Sequence, residues 1–305
     1  MNIIKGKLTR AYRIVIAGVE GIGKTTFASK APDPLFIDLE GGSDFMDVAR
    51  VEPPKDWKEL LDIIDEVVAD PTICKTLVID TGDKAEMYCI THICEKFKKN
   101  SIEDFGYGKG YTYLKEEYVN LLQKLDKVIA AGINVIINAH VALRKFEQPD
   151  EQGAYDRYEL KMSKQVAPLV KEWTDIMLFA NYKTYVNKGE GIDKNKVSGG
   201  KRVMYAAHHP CWDAKNRHGL PDEMDFDFAQ IRHLFQSPRD SVKELAVRDG
   251  ISLDDVCALA IKQGHAEQGT DFDGLPDKIV EKWALRYWPQ IVEAINNKTT
   301  NKEEQ

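Results

Sequence analysis

The run Gly18-Val19-Glu20-Gly21-Ile22-Gly23-Lys24-Thr25 constrains this chain more than any other feature. It follows the spacing G-x-x-x-x-G-K-[ST], with the apolar segment 13–17 directly before it and a helix-forming stretch, 24–30, opening inside it. A strand, a glycine-rich turn and a helix start in that order let successive backbone N–H groups converge on a phosphate. The lysine ammonium then reaches the outer phosphates, and the Thr25 hydroxyl is free to ligate a metal ion. Ordinary residue frequencies produce such a match by chance in roughly 1% of chains this long. Gly18, Val19, Glu20, Gly21, Ile22, Gly23, Lys24, Thr25 and Thr26 are therefore the candidate nucleotide-binding residues.

Around this loop the pattern is that of an α/β protein. Apolar runs rich in β-branched residues recur at 13–17, 35–38, 76–80, 134–138, 175–180 and 203–207, several without polar alternation, as in strands buried on both faces. Helical stretches fall between them at 24–30, 57–69, 84–98 and 113–131. Alternation of this kind predicts a doubly wound, mostly parallel sheet. Segments 144–164 and 186–202 are polar and punctuated by glycine, and read as loops or a projecting hairpin. From Ser237-Pro238 onward the pattern is purely helical, giving an expected division into 1–237, a small helical domain 238–297, and a disordered tail 298–305.

Composition narrows the setting. No apolar run reaches the ~18 residues needed to cross a bilayer, and the first ten residues lack an export signal. Five cysteines, an odd number without a C-x-x-C pair, read as reduced thiols, so a cytoplasmic location without membrane contact is expected. A net charge of −7 argues against wholesale attraction to nucleic acid but leaves room for a local patch.

Hydrolysis needs more than a phosphate cradle. Segment 76–80, Thr-Leu-Val-Ile-Asp, ends in Asp80, placed to orient magnesium together with Thr25. Segment 35–42, Leu-Phe-Ile-Asp-Leu-Glu-Gly-Gly, delivers two acids at a strand end. Glu40 is the first candidate to activate the attacking water, with Asp38 second. A guanine-reading N-K-x-D is absent, since Asn195-Lys196 is followed by Val-Ser, and Asp80 does not open a D-x-x-G. The expected ligand is accordingly ATP with Mg2+.

These residues resemble the RecA-like ATPases. Phe36-Ile-Asp-Leu-Glu-Gly-Gly42 resembles that family's second strand, which implies that Glu40 is the catalytic base. Segment 134–140, Asn-Val-Ile-Ile-Asn-Ala-His, looks like its sensor strand, which implies that His140 reports on the γ-phosphate. Segment 214–221 is similar to the K-x-R element of replicative helicases and their RecA-like relatives, which implies that Lys215 and Arg217 reach a neighbouring subunit's ATP. Residues 10–235 as a whole are similar to phage nucleotide-binding proteins described as core-only RecA-like recombinases. That resemblance implies a recombinase's set of partners: single-stranded DNA, further copies of the chain in a ring or filament, and a single-strand-binding protein.

Nucleic-acid contacts are expected in two places. Segment 181–202 carries Lys183, Lys188, Lys194, Lys196, Lys201 and Arg202 against Glu190 and Asp193, a net of +4, with Tyr182 and Tyr185 offering stacking faces. Segment 144–164 adds Arg144, Lys145, Arg157 and Lys161. The rival expectation is a nucleotide switch or loader that recruits a partner through its C-terminal helices.

Overall fold

The computed structural model describes residues 10–147, 153–188 and 195–303, the side chains of 184–199 and 298–303 excepted. The chain divides into two units, Met1–Gln230 and Ile231–Gln305.

The first unit is built on β1 (Arg13–Gly18), β2 (Pro34–Asp38), β3 (Ala49–Arg50), β4 (Thr76–Asp80), β5 (Asn134–Glu147), β6 (Ala154–Leu160), β7 (Ile176–Lys188), β8 (Asn195–Tyr205) and β9 (Glu223–Asp225). Their order across the sheet is β3-β2-β4-β5-β1-β7-β8-β9, with β6 paired to the outer half of β5. The strands from β3 to β7 run parallel, while β8, β9 and β6 pair antiparallel. β5 thus lies between the strand that precedes the glycine-rich loop and the strand that ends in Asp80.

Parallel pairing brings the C-terminal ends of these strands to one edge. Gly18 is level with His140 and with Ala180, Asp80 with Asn138, and Asp38 with Asp80. Ligands of open parallel sheets bind at that edge. The strands hold their places because Val15, Leu77, Ile79, Val135 and Ile137 are wholly or almost wholly buried in one continuous core. Each such side chain contributes about 1.5–3 kcal/mol relative to exposure.

Helices α1 (Lys24–Ala28), α2 (Trp57–Ala69), α3 (Gly82–Lys96), α4 (Lys109–Ala130) and α5 (Ala167–Trp173) complete this unit. Asp56 caps α2, accepting from Glu59 N, and Thr81 caps α3, accepting from Lys84 N. The cap at Thr81 starts α3 two residues earlier than periodicity alone suggests. Leu60, Ile64 and Val67 on α2, with Leu121, Leu125 and Val128 on α4, supply the apolar stripes that cover the sheet.

Three strands are longer than expected. β5 continues to Glu147 and pairs with β6 from Val141↔Leu160 to Glu147↔Ala154. In this outer half Leu143, Lys145 and Glu147 are exposed and alternate with half-buried neighbours. Polar alternation marks a strand covered on one face only. β7 and β8 likewise extend into segment 186–202 as the arms of a hairpin.

The second unit contains α6 (Arg232–Phe235), α7 (Pro238–Asp249), α8 (Leu253–Lys262), α9 (Asp277–Ile279), a π-helical stretch (Val280–Leu285) and α10 (Trp288–Glu303). It begins ahead of the expected boundary at 238, and α10 runs into the segment expected to be disordered. Ser237 caps α7 and Ser252 caps α8. Val242, Val256, Leu259, Val280 and Ile291 form its core around two tryptophans. Trp283 Nε1 donates to Gln263 Oε1 (2.9 Å) and Trp288 Nε1 to Asp249 Oδ2 (2.7 Å), so both indoles are spent on packing within the unit.

Candidate nucleotide site

The loop after β1 requires glycine at two points. Gly23 sits at φ 102°, and a Cβ there would come within 2.8 Å of Arg202 Nη1. A Cβ on Gly18 would meet the Ala180 carbonyl oxygen at 2.9 Å. Lys24 is buried, and its Nζ donates to the carbonyls of Gly18 (3.2 Å) and Val19 (3.1 Å). Burial pulls its pKa down, against the opposing pull of Asp80, Asp83, Glu40 and Glu20.

Thr25 Oγ1 donates to Asp80 Oδ2 at 2.7 Å, joining the loop to the end of β4. Burial pushes the Asp80 carboxyl up, and the Thr25 hydroxyl partly offsets that shift. The Asp80–Thr81 peptide bond is cis. Beside Asp80, across the β4–β5 pairing, Asn138 is fully buried, and its side chain joins the Thr25 hydroxyl in holding the Asp80 carboxyl down. A hydroxyl and a buried carboxylate, with a buried amide beside them, form an oxygen-rich donor set that suits a hard divalent cation and its waters.

One cleft is lined by Gly21, Gly23, Lys24, Thr25, Thr26, Glu40, Gly42, Met46, Asp80, Thr81 and His140. Residues separated by more than a hundred positions in the chain, including the candidates Glu40, Asp80 and His140, therefore face the same space as the phosphate loop. Glu40 Oε1 accepts from Thr81 Oγ1 at 3.0 Å. His140 is fixed by Asp83, whose Oδ1 accepts from His140 N (2.9 Å) and whose Oδ2 lies 3.0 Å from His140 Nδ1.

Asp38, the second candidate base, has a different role. Its Oδ1 accepts from the N–H groups of Glu40, Gly41 and Gly42, and its Oδ2 from the N–H and hydroxyl of Ser43. The carboxylate is buried and saturated, so it organises the turn that carries Glu40 and is not free to take a proton from water. Burial alone would raise its pKa, but the hydrogen bonds from Ser43, Glu40 and Gly41 outweigh burial and hold it below the usual carboxylate value. A depressed carboxylate stabilises the fold above its unfolded pKa, and that contribution is lost as pH falls through the folded value. Asp38→Ala is expected to cost about 3 kcal/mol in urea unfolding at neutral pH, with the difference from wild type shrinking in acid.

The cations expected to meet DNA are mostly engaged elsewhere. Arg157 is buried and paired with Asp213 (2.5 Å), which also holds Lys171 (3.0 Å). Arg144 donates to Met162 O (3.1 Å) and faces Glu159 (3.5 Å). Lys161 pairs with Glu20 of the phosphate loop (2.9 Å), and Arg202 Nη1 donates to Ile22 O (3.2 Å). Tyr182 also reaches that loop, at Gly21 O (3.3 Å). Lys183 is paired with Glu223, and Lys201 with Asp225 (2.6 Å). The +4 of segment 181–202 was a count along the chain, and β9 places two acids beside it. Lys145 is exposed on the β5–β6 hairpin. Lys194 lies outside the described residues, as do the side chains of Lys188, Lys196 and Tyr185.

Lys215 and Arg217 are not equivalent. Lys215 pairs through its backbone with Met177 near the start of β7, and its Nζ donates to the carbonyls of Lys171 (3.1 Å) and Glu172 (2.9 Å) at the end of α5. Burial lowers its pKa, and neighbouring Arg217 adds to that. Its ammonium is therefore committed within its own chain. Arg217 is exposed, next to His218, whose ring packs on Tyr12 just before β1 (4.9 Å). That is the sheet edge opposite the phosphate loop, so Arg217 cannot touch its own chain's nucleotide.

The strand order, the loop and the cleft define an α/β P-loop nucleotide-binding protein. A family model described as an AAA domain matches residues 10–218, and the chain belongs to that family. The chain is 23% identical over 272 residues to the SPbeta prophage-derived uncharacterized protein YorG of Bacillus subtilis (strain 168), a match covering 88% of this chain and 77% of that protein. A crystal structure of a KaiC-like protein from the hyperthermophilic archaeon Pyrococcus horikoshii is similar at 14% identity and a TM-score of 0.35, covering 64% of this chain and 78% of that one. Among the described residues no helix is long and apolar enough to cross a membrane.

Proposed function

We propose that this chain is a magnesium-dependent ATPase that works on single-stranded DNA as an assembly of several copies, in phage-type annealing or recombination. The observation that carries the ATPase part is the convergence of Lys24, Thr25, Asp80, Glu40 and His140 on one cleft. Lys24 neutralises the outer phosphates, and the N–H groups of the glycine-rich turn hold them. Glu40, held by Thr81, takes the proton of the attacking water. Thr25 and Asp80 would hold magnesium, which would supply charge neutralisation at the phosphate oxygens.

The DNA part is supported by connectivity. β5 carries His140 at the cleft and continues without a break into the β5–β6 hairpin, where Lys145 is exposed. Movement at the phosphate can thus be passed to the hairpin along one strand. Assembly is supported by the exposed position of Arg217, which only a head-to-tail neighbour can bring to a nucleotide. The prophage-derived relative supports a setting in mobile DNA.

The test is steady-state ATP hydrolysis at low salt with and without long unstructured single-stranded DNA. Several-fold stimulation that declines as salt rises is expected. Flat turnover would favour a nucleotide switch or loader acting through the C-terminal helices, a reading that the internal pairing of Arg157, Lys183 and Lys201 already supports.

A further inference from the structure

We propose that Asp83 is a positioning residue for ATP hydrolysis: it sets the ring orientation and tautomer of His140, so that Nε2 is the atom presented to the nucleotide cleft. The proposal rests on the ATPase reading above and adds to it a residue outside the phosphate loop and the strand-end acids.

Asp83 stands in the first turn of α3, where an acid commonly serves only to offset the partial charges of the helix start. Here the carboxylate is used differently. One oxygen accepts the backbone N–H of His140 and the other faces Nδ1 of the same residue, at 2.9 and 3.0 Å. The side chains of both residues are largely buried, at 12% and 14% exposure. An ionised carboxylate only accepts, so Nδ1 carries a proton. The other ring nitrogen, Nε2, is left for the cleft that His140 lines.

Among the described residues Asp83 makes the shorter of two carboxylate contacts to the ring. Glu40 Oε1 is 4.0 Å from Nδ1 and already accepts the Thr81 hydroxyl. The carbonyl of His140 accepts from Lys161 N at 2.8 Å, so the backbone is held from the opposite side as well. With Nδ1 protonated, the neutral ring offers Nε2 as a lone pair able to take a hydrogen bond from water in the cleft. The opposite tautomer would offer an N–H there and aim it at phosphate. Asp83 excludes that tautomer, which makes His140 a water-orienting group.

The experiment combines kinetics with nitrogen NMR on the full chain. Histidine-labelled wild type, Asp83→Asn and Asp83→Ala are compared at about pH 8, where an ordinary histidine is neutral, with His140→Gln assigning the signal. Wild type is expected to show Nδ1–H for His140, and the Asp83 variants a mixture containing the Nε2–H form. ATP turnover is expected to fall on the order of 10-fold in Asp83→Asn with KM little changed. In a His140→Gln background the same change should add almost nothing, since a residue acting through His140 has nothing left to position. An unchanged His140 tautomer, or an equal loss in both backgrounds, overturns the proposal. A wild-type chain without turnover removes the ATPase reading instead, and the tautomer measurement still decides whether Asp83 controls the ring.

Discussion

Lys24→Ala is expected to weaken ATP binding by at least ~100-fold, or about 2.7 kcal/mol, while leaving the nucleotide-free protein as stable as wild type or slightly more so. The two effects have one cause. In the free chain the ammonium is buried and its pKa is lowered mainly by that burial, so the fold tolerates a desolvated charge held by two loop carbonyls. A cation with a lowered folded pKa disfavours folding while it is charged, and removing it lifts that cost. With nucleotide present the same ammonium meets phosphate oxygens, where charge-assisted hydrogen bonds are strongest. Isothermal titration with ATP and thermal melts without it separate the two. A variant that bound ATP normally would remove the loop from nucleotide binding.

Glu40→Gln has the opposite profile: turnover is expected to fall on the order of 10²- to 10⁴-fold, the usual weight of a positioned general base, with ATP affinity preserved. Glutamine keeps an oxygen for the Thr81 hydroxyl, and the turn around residue 40 is fixed by Asp38 rather than by Glu40 itself. The variant should therefore fold, bind and stall. Single-turnover kinetics beside a binding titration would reveal this, and full turnover in the variant would pass the role of base to another group in the cleft.

How much of this was legible beforehand depended on whether a feature is local. The phosphate loop is a contiguous pattern whose glycines answer to local backbone needs, and β4 was legible because the apolar run Leu77-Val78-Ile79 leads straight into Asp80. The α/β class follows from the same runs. Asp83 and Asn138 were not legible, because their neighbours are set by register: Asp80 is level with Asn138, and α3 begins where His140 emerges. Asp38 and Glu40, two residues apart, look alike in sequence, and only the five hydrogen bonds on Asp38 separate the anchor from the candidate base. The net charge of the basic segments was not legible for a related reason. Charge counted along a segment omits acids brought by other strands, as Glu223 and Asp225 are brought by β9, and Asp213 by the segment that follows β8.

The most direct test of ATP hydrolysis at this cleft is phosphate release by the purified wild-type chain with ATP and magnesium, run beside Lys24→Ala and beside a sample in which magnesium is chelated. Wild-type turnover clearly above both controls is the expected result. Equal rates in all three would contradict the assignment of Lys24, Thr25, Asp80 and Glu40 to a working nucleotide site.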